Sequence, residues 1–256
     1  MNDSATSKQT AAAWADSDEP TLRFERRLRH PVEKVWRAVT EASELSAWFP
    51  FEVSYTSLVP GARITFSEQG FTDHGEILEV DPPRLFAFSW GEERFRIELT
   101  PDGDTTTLTF LHTFGDRYGA ASFATGWDTC LDALTLSLEG REHTPGDMSA
   151  PHERYVELLG LDHSEVERTA DGWKVRAERQ LVRPEAAARA AIDRFGDWGG
   201  HNVHVEFTEG TGHGARIVVT ETGRRDGDLD AARDRWHDRL ARLGAVLASG
   251  PAPDTH

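Results

Sequence analysis

An α+β fold is predicted for this chain of 256 residues: a curved antiparallel sheet wrapped round a long C-terminal helix, then a truncated second copy of the same unit. Three observations predict it. Short alternating segments separated by turn residues run from residue 62 to 114, the pattern of an antiparallel meander. An amphipathic stretch over residues 122–140 follows, long enough to cover such a sheet. The chain also repeats itself: residues 23–39 align with 176–192 through Arg23/Arg176, Glu25/Glu178, Arg26/Arg179, Leu28/Leu181, Pro31/Pro184 and Ala38/Ala191, and residues 108–138 align with 217–247 through Trp127/Trp236, Leu131/Leu240 and Leu134/Leu243. The offset falls from 153 to 109, so 44 residues of the first copy have no counterpart in the second.

The elements follow in order. Residues 1–20 are polar and Ala-rich and read as a disordered leader. Leu22, Phe24, Arg26 and Leu28 alternate with charged residues, as in a half-buried strand. Pro31 suits a first helical position, and Val32, Val35, Trp36 and Val39 continue at helical spacing. Residues 40–49 give a further helical turn with Leu45, Trp48 and Phe49 apolar. In the meander, Pro60-Gly61, Asp81-Pro82-Pro83 and Asp102-Gly103 mark the turns. Phe86, Phe88 and Trp90 share one strand face, Phe95, Ile97 and Leu99 another, and Leu108, Phe110 and His112 a third. The covering helix carries Phe123, Trp127, Cys130, Leu131, Leu134 and Leu138 on one stripe and ends at Gly140. Residues 141–162 are loop-rich, with room for a short helix over 153–159. The second copy comprises a strand at 173–181, a helix at 184–194, a hairpin at 203–208 and 215–222, and a helix at 229–247. The expected domains are therefore 21–160 and 161–256.

The formal charge of −16 argues against nucleic acid or an anionic membrane as partner, because both are bound through clustered Lys and Arg. The single cysteine forms no intrachain disulfide, and neither a secretory signal nor a membrane-length apolar run is present, so a cytoplasmic location is expected.

The aromatic residues Trp36, Trp48, Phe66, Phe86, Phe88, Trp90, Phe95, Phe110 and Trp127, with Leu131, either line a pocket or fill a core, since the walls of such an enclosure are made of the same residues. His112 shares its face with Leu108 and Phe110: it either meets a ligand's oxygen or is a core histidine satisfied by a neighbour. His74, in Asp73-His74-Gly75-Glu76, stands nearer a rim. Asp128 fits a cavity mouth or, better, a solvated helix flank. Cys130 reads as a small core group with nothing electropositive to activate it. His201, His204 and His213 lack a completing carboxylate or thiolate, so no metal is expected. Gly210-Thr211-Gly212-His213-Gly214 has the glycine density of a phosphate loop, yet it joins two strands and opens no helix. No nucleophile elbow and no carboxylate pair of telling spacing appears, and no cofactor is expected.

The segments RRLRHPVEKVWRAVTEASELSAWF, HGEILEVDPPRLFAFSW, TTTLTFLHTF and GWDTCLDAL together resemble the domain of activator of heat-shock-protein-90 ATPase homologues, in the START-like (SRPBCC, helix-grip) superfamily. The resemblance covers residues 20–160. It implies a helix-grip fold enclosing an elongated cavity used for lipids, polyketides and other apolar molecules, in some members with cyclase or aromatase chemistry. In the eukaryotic activators a similar domain assists a chaperone. The leading expectation is non-catalytic binding of an apolar or amphipathic small molecule by the first unit, the shortened copy serving structure or docking. The rivals are a module that binds a chaperone or another protein, and an enzyme of the cyclase kind with His112 as its polar group.

Overall fold

The computed structural model describes residues 10–250 except 197, 199, 213 and 226. Two compact units emerge, one from residues up to Arg117 with Gly126–Pro145, the other from Tyr118–Thr125 with residues from Gly146 onward. The division falls at residue 145, where the sequence suggested 160.

The first unit begins with β1 (Thr10–Trp14) and β2 (Thr21–Leu28), followed by α1 (Val32–Thr40) and α2 (Ala42–Leu45). Six strands follow: β3 (Glu52–Tyr55), β4 (Arg63–Glu68), β5 (Phe71–Asp81), β6 (Leu85–Trp90), β7 (Glu93–Asp102) and β8 (Thr105–Thr113). They form one antiparallel sheet in the order β1-β2-β8-β7-β6-β5-β4-β3. The meander keeps its neighbours, and β8 returns to pair with β2. Strand period decides the faces: Leu108, Phe110 and His112 on β8 are buried, as are Phe95, Ile97 and Leu99 on β7. After a 3-10 turn at Arg117–Gly119 comes α3 (Ala120–Leu138), whose Trp127, Leu131, Leu134 and Leu138 are buried. Lys34 on α1 donates to the Leu138 carbonyl at 2.6 Å, placing a cation at the helix's negative end.

Three strands of the first unit escaped the sequence. β1 lies within the stretch expected to be a disordered leader; residues 1–9 lie outside the described residues. It is ordered because it adds to the edge of β2, buries Ala12, and offers the Thr10 carbonyl to the buried guanidinium of Arg26 at 3.0 Å. Trp14 packs on Phe114, with Arg117 stacked over its ring. β3 and β5 carry few buried residues, so they leave little alternation to read. β5 serves β4 with its first half and β6 with its second, and a register shift between Ile77 and Glu79 bends the sheet there.

In the second unit, α4 (Ser149–Leu158) precedes β9 (Glu165–Arg168), β10 (Gly172–Gln180), α5 (Glu185–Phe195), β11 (Val203–Glu209), β12 (Ala215–Arg224) and α6 (Leu229–Ala248). The sheet order β11-β12-β10-β9 repeats the order β7-β8-β2-β1 of the first unit. Register agrees as well: Arg26 opposes Leu108, and the aligned residues Arg179 and Ile217 oppose one another. The second unit is thus a truncated helix-grip copy without counterparts of β3 to β6. Its core is closed by Trp173, Val175, Ile217, Val219, Trp236 and Leu243. Among the described residues no helix is long and apolar enough to cross a membrane.

Gly75 on β5 is fixed by close approach. A Cβ there would stand 1.7 Å from the Ser89 carbonyl oxygen, so any side chain forces β5 and β6 apart. Gly75→Ala should cost about 3 kcal/mol, the upper end of ordinary overpacking, read as a lower urea midpoint at unchanged slope.

Candidate functional site

The enclosed face of the first sheet meets α3 across a continuous set of rings. Phe88 and Phe95 stack at 5.1 Å between centroids, Phe66 and Trp90 at 4.9 Å, and Phe110 meets Trp127 at 4.8 Å. Phe66, Phe86, Phe88 and Phe110 are fully buried, and Phe95 and Leu131 nearly or entirely so. Offset and edge-on rings at these separations attract beyond the effect of burial alone. The sequence-predicted set is therefore brought together, with two exceptions. Trp36 stays half-buried on α1, and His74 is exposed, its Nδ1 3.2 Å from the Thr65 hydroxyl. His74 occupies an outward position of the pleat, alternate to buried Ile77, so it does not meet the rings.

The ring at the centre of the set was not among the candidates. Phe49 follows α2 on an irregular connection and touches Phe66 at 5.5 Å, Phe88 at 6.0 Å, Trp90 at 6.2 Å and Trp127 at 5.3 Å. It belongs neither to the sheet nor to α3. Buried Leu45 and Trp48 hold its segment, the Trp48 indole donating to the Ala38 carbonyl at 2.9 Å. The signal was there in the apolar cluster of residues 45–49, but periodicity does not tell which ring turns inward. At the outer end of the set, Phe51 meets Trp90 at 4.8 Å and Phe71 at 5.4 Å, and Phe71 is largely exposed. The Trp90 indole donates to Asp73 at 2.8 Å.

One polar chain crosses this apolar interior. The Trp127 indole N–H donates to His112 Nδ1 at 3.1 Å, and His112 Nε2 lies 2.8 Å from Glu93 Oε2. An indole nitrogen only donates, so His112 Nδ1 is the acceptor and Nε2 carries the proton that goes to Glu93. Both nitrogens are thereby engaged, and neither is offered to a substrate in this arrangement. His112 is a satisfied core histidine stacked on Phe95 at 4.4 Å. Burial lowers its pKa, against the opposing pull of Glu93.

Asp128 proves to be neither a cavity mouth nor a solvated flank. It pairs with the buried guanidinium of Arg26, whose Nε also lies 3.9 Å from Asp132. A charge so buried is tolerated only when paired. Burial pushes the Cys130 thiol up to about 12, which leaves it protonated and unreactive at neutral pH. Among the described residues no cluster of ligating side chains could hold a metal ion; His213 lies outside them. Thr211 and Gly214 flank the tight end of the β11–β12 hairpin, where the Thr211 N–H donates to Gln180 at 2.9 Å.

The His112 arrangement predicts a pH dependence. Its folded pKa lies below the ordinary 6.5, so below pH 6.5 the unfolded chain binds the proton first and stability falls as pH falls toward the folded value. Urea unfolding between pH 7.5 and 5.5 should show that decline, and His112→Phe should flatten it in part. His30, whose pKa burial and Lys34 also lower, contributes in the same direction.

Comparisons with known proteins come to the same fold. Residues 29–139 match the family model described as activator of Hsp90 ATPase homolog 1-like protein. A conserved protein of unknown function from Enterococcus faecalis (EF2215) superposes with a TM-score of 0.50 at 19% identity, covering 59% of this chain and 89% of that one. CalU16 from Micromonospora echinospora gives 0.48 at 23% identity, over 60% of this chain and 96% of that one. The Aha1 dimer structure from Colwellia psychrerythraea gives 0.42 at 19%, over 46% and 96%. No curated protein matches the chain. The segment 29–139, from the turn before α1 to the end of α3, is thus similar to the activator-of-Hsp90-ATPase-homolog-1-like family, and the fold is of the helix-grip kind.

Proposed function

We propose that the first unit binds an apolar or amphipathic small molecule between its sheet and α3, without catalysing a reaction. The observation that carries this reading is the position of Phe49. Its ring fills the middle of an aromatic enclosure from a short connecting segment, while the walls belong to regular elements. A filler on a connection is displaced at less structural cost than a ring on a strand, and the space it vacates is bordered by Phe66, Phe88, Trp90 and Trp127. The exposed edge formed by Phe51, Phe71 and Trp90 offers an apolar approach, and Asp73 and Glu93 supply polar atoms at the border for an amphipathic ligand's head. The engagement of both His112 nitrogens speaks for binding over chemistry. The formal charge of −16 supports a partner other than nucleic acid or an anionic membrane, and the lone, half-buried cysteine suits a cytoplasmic setting.

A second reading, regulation of a chaperone through protein contact, is favoured by the description of the matching family model. Stimulation of a purified Hsp90-type ATPase by this chain would support it, and no stimulation would remove it.

Native mass spectrometry of the freshly purified protein should reveal a co-purified molecule of a few hundred daltons, and the wild type should take up the apolar probe 1-naphthol saturably. Phe49→Ala should bind that probe at least tenfold more tightly. If the wild type takes up none while Phe49→Ala does, the interior is a closed core made hollow by the substitution, and the proposal fails.

A further inference from the structure

We propose that the outer edge of β11 is an interface at which two copies of this chain pair, strand against strand, round a two-fold axis at Val205. In the first unit the matching strand is covered. Leu99, Ile97 and Phe95 on β7 oppose Leu108, Phe110 and His112, just as Phe207, Val205 and Val203 on β11 oppose the aligned residues Ile217, Val219 and Glu221. β6 then adds to the far side of β7, setting Phe86 beside Ile97 and Phe88 beside Phe95, and the three β7 residues are buried. The second unit has no counterpart of β6, and β11 ends its sheet. Val203, Val205 and Phe207 pack on the core but stay only half-buried.

The polar groups at that edge follow from parity. The Thr222 N–H donates to the Asn202 carbonyl at 3.0 Å, so the even-numbered residues that follow turn their backbone groups to β12, and Val205, Phe207 and Glu209 turn theirs outward. The Leu99 N–H, at the position matching Phe207, also points away from β8, and it reaches the Arg84 carbonyl at 2.8 Å. Among the described residues, no strand takes the outward groups of β11.

The other sheet edges carry the devices that keep edges single. β1 has five residues and a register shift between Thr10 and Ala13, β3 has four residues, and β9 has four, all exposed, with Glu165, Glu167 and Arg168 among them. β11 has seven residues, an unbroken register with β12, and no Lys, Arg or Pro.

The strand also fits itself. An antiparallel pair centred on Val205 joins the outward N–H and C=O groups of the two copies and sets Val203 against Phe207 on the core side. On the other side His204 meets Glu206 of the partner subunit, and the two-fold axis makes this pair twice, at positions without backbone hydrogen bonds, where side chains come closest. A slip of one residue would turn the valines of one copy outward, so the register is fixed. The contact closes on itself and ends at a dimer. It is independent of the enclosure in the first unit.

Sedimentation velocity of the full chain over a dilution series should show a reversible monomer–dimer equilibrium. His204→Glu sets like charges opposite one another in both pairs and should weaken the dimer at least tenfold. Adding Glu206→His restores the pairing with its members exchanged and should return the affinity to within threefold of the wild type. Both side chains are exposed, so the urea midpoint of the monomer should stay unchanged in these variants. Under mild oxidation Val205→Cys should form an intermolecular disulfide and Glu209→Cys should not, because only position 205 meets itself across the axis. A chain that stays monomeric at every soluble concentration overturns the proposal, whether the edge is then left to water or to an extended peptide of another protein. A dimer that His204→Glu leaves unchanged overturns it as well, since it would use another surface.

Discussion

A buried indole N–H must find an acceptor, and in both units that requirement locks the long helix to the sheet. Trp127 donates to His112, and Trp236 donates to Glu221 at 2.6 Å. The two tryptophans align in the repeat, and so do the two acceptors, each displaced by the same 109 residues. A donor left unmade at such a place costs about 1–3 kcal/mol, so the helix cannot rotate or slide without penalty. The acceptor's chemistry differs between the copies. A neutral histidine suits the drier interior of the first unit, whereas the second uses a carboxylate that Arg235 compensates from the helix itself.

The lost segment explains why the two units differ in what they can enclose. With β3 to β6 present, the first sheet has eight strands and its rings face α3 across a broad concave surface. Without them, four strands and α6 form a compact core that holds Trp173, Trp198 and Trp236. A pocket of the second unit lies beside α6, on the flank bounded by the end of α5.

Buried cations follow the same alignment with different solutions. Arg26 and Arg179 are matched residues, both buried, and neither is exposed enough to be served by water. Arg26 draws on Asp128 of α3 and on the Thr10 carbonyl, so ordering β1 is part of its compensation. Arg179 draws on Glu153 of α4, which is why α4 belongs with the second unit, and Gly244 makes the space: a Cβ there would lie 2.6 Å from the Arg179 guanidinium. The sequence put α4 with the first domain because nothing local in residues 149–158 points to a partner some 26 residues further on.

What could be read without coordinates was what local periodicity and self-similarity carry. The strand faces of Phe86, Phe95 and Phe110, the stripe of Trp127 and Leu131, and the shortening of the second copy are consequences of spacing along the chain, and the fold class follows from them. The tertiary structure decided whatever depends on meeting partners far apart in sequence. It turned Phe49 into the centre of the enclosure and gave both nitrogens of His112 to Trp127 and Glu93. It placed His74 outside and ordered β1 over Arg26. A one-dimensional pattern records which side of an element a residue occupies, but hydrogen-bond satisfaction and charge pairing are settled only when the elements are packed together.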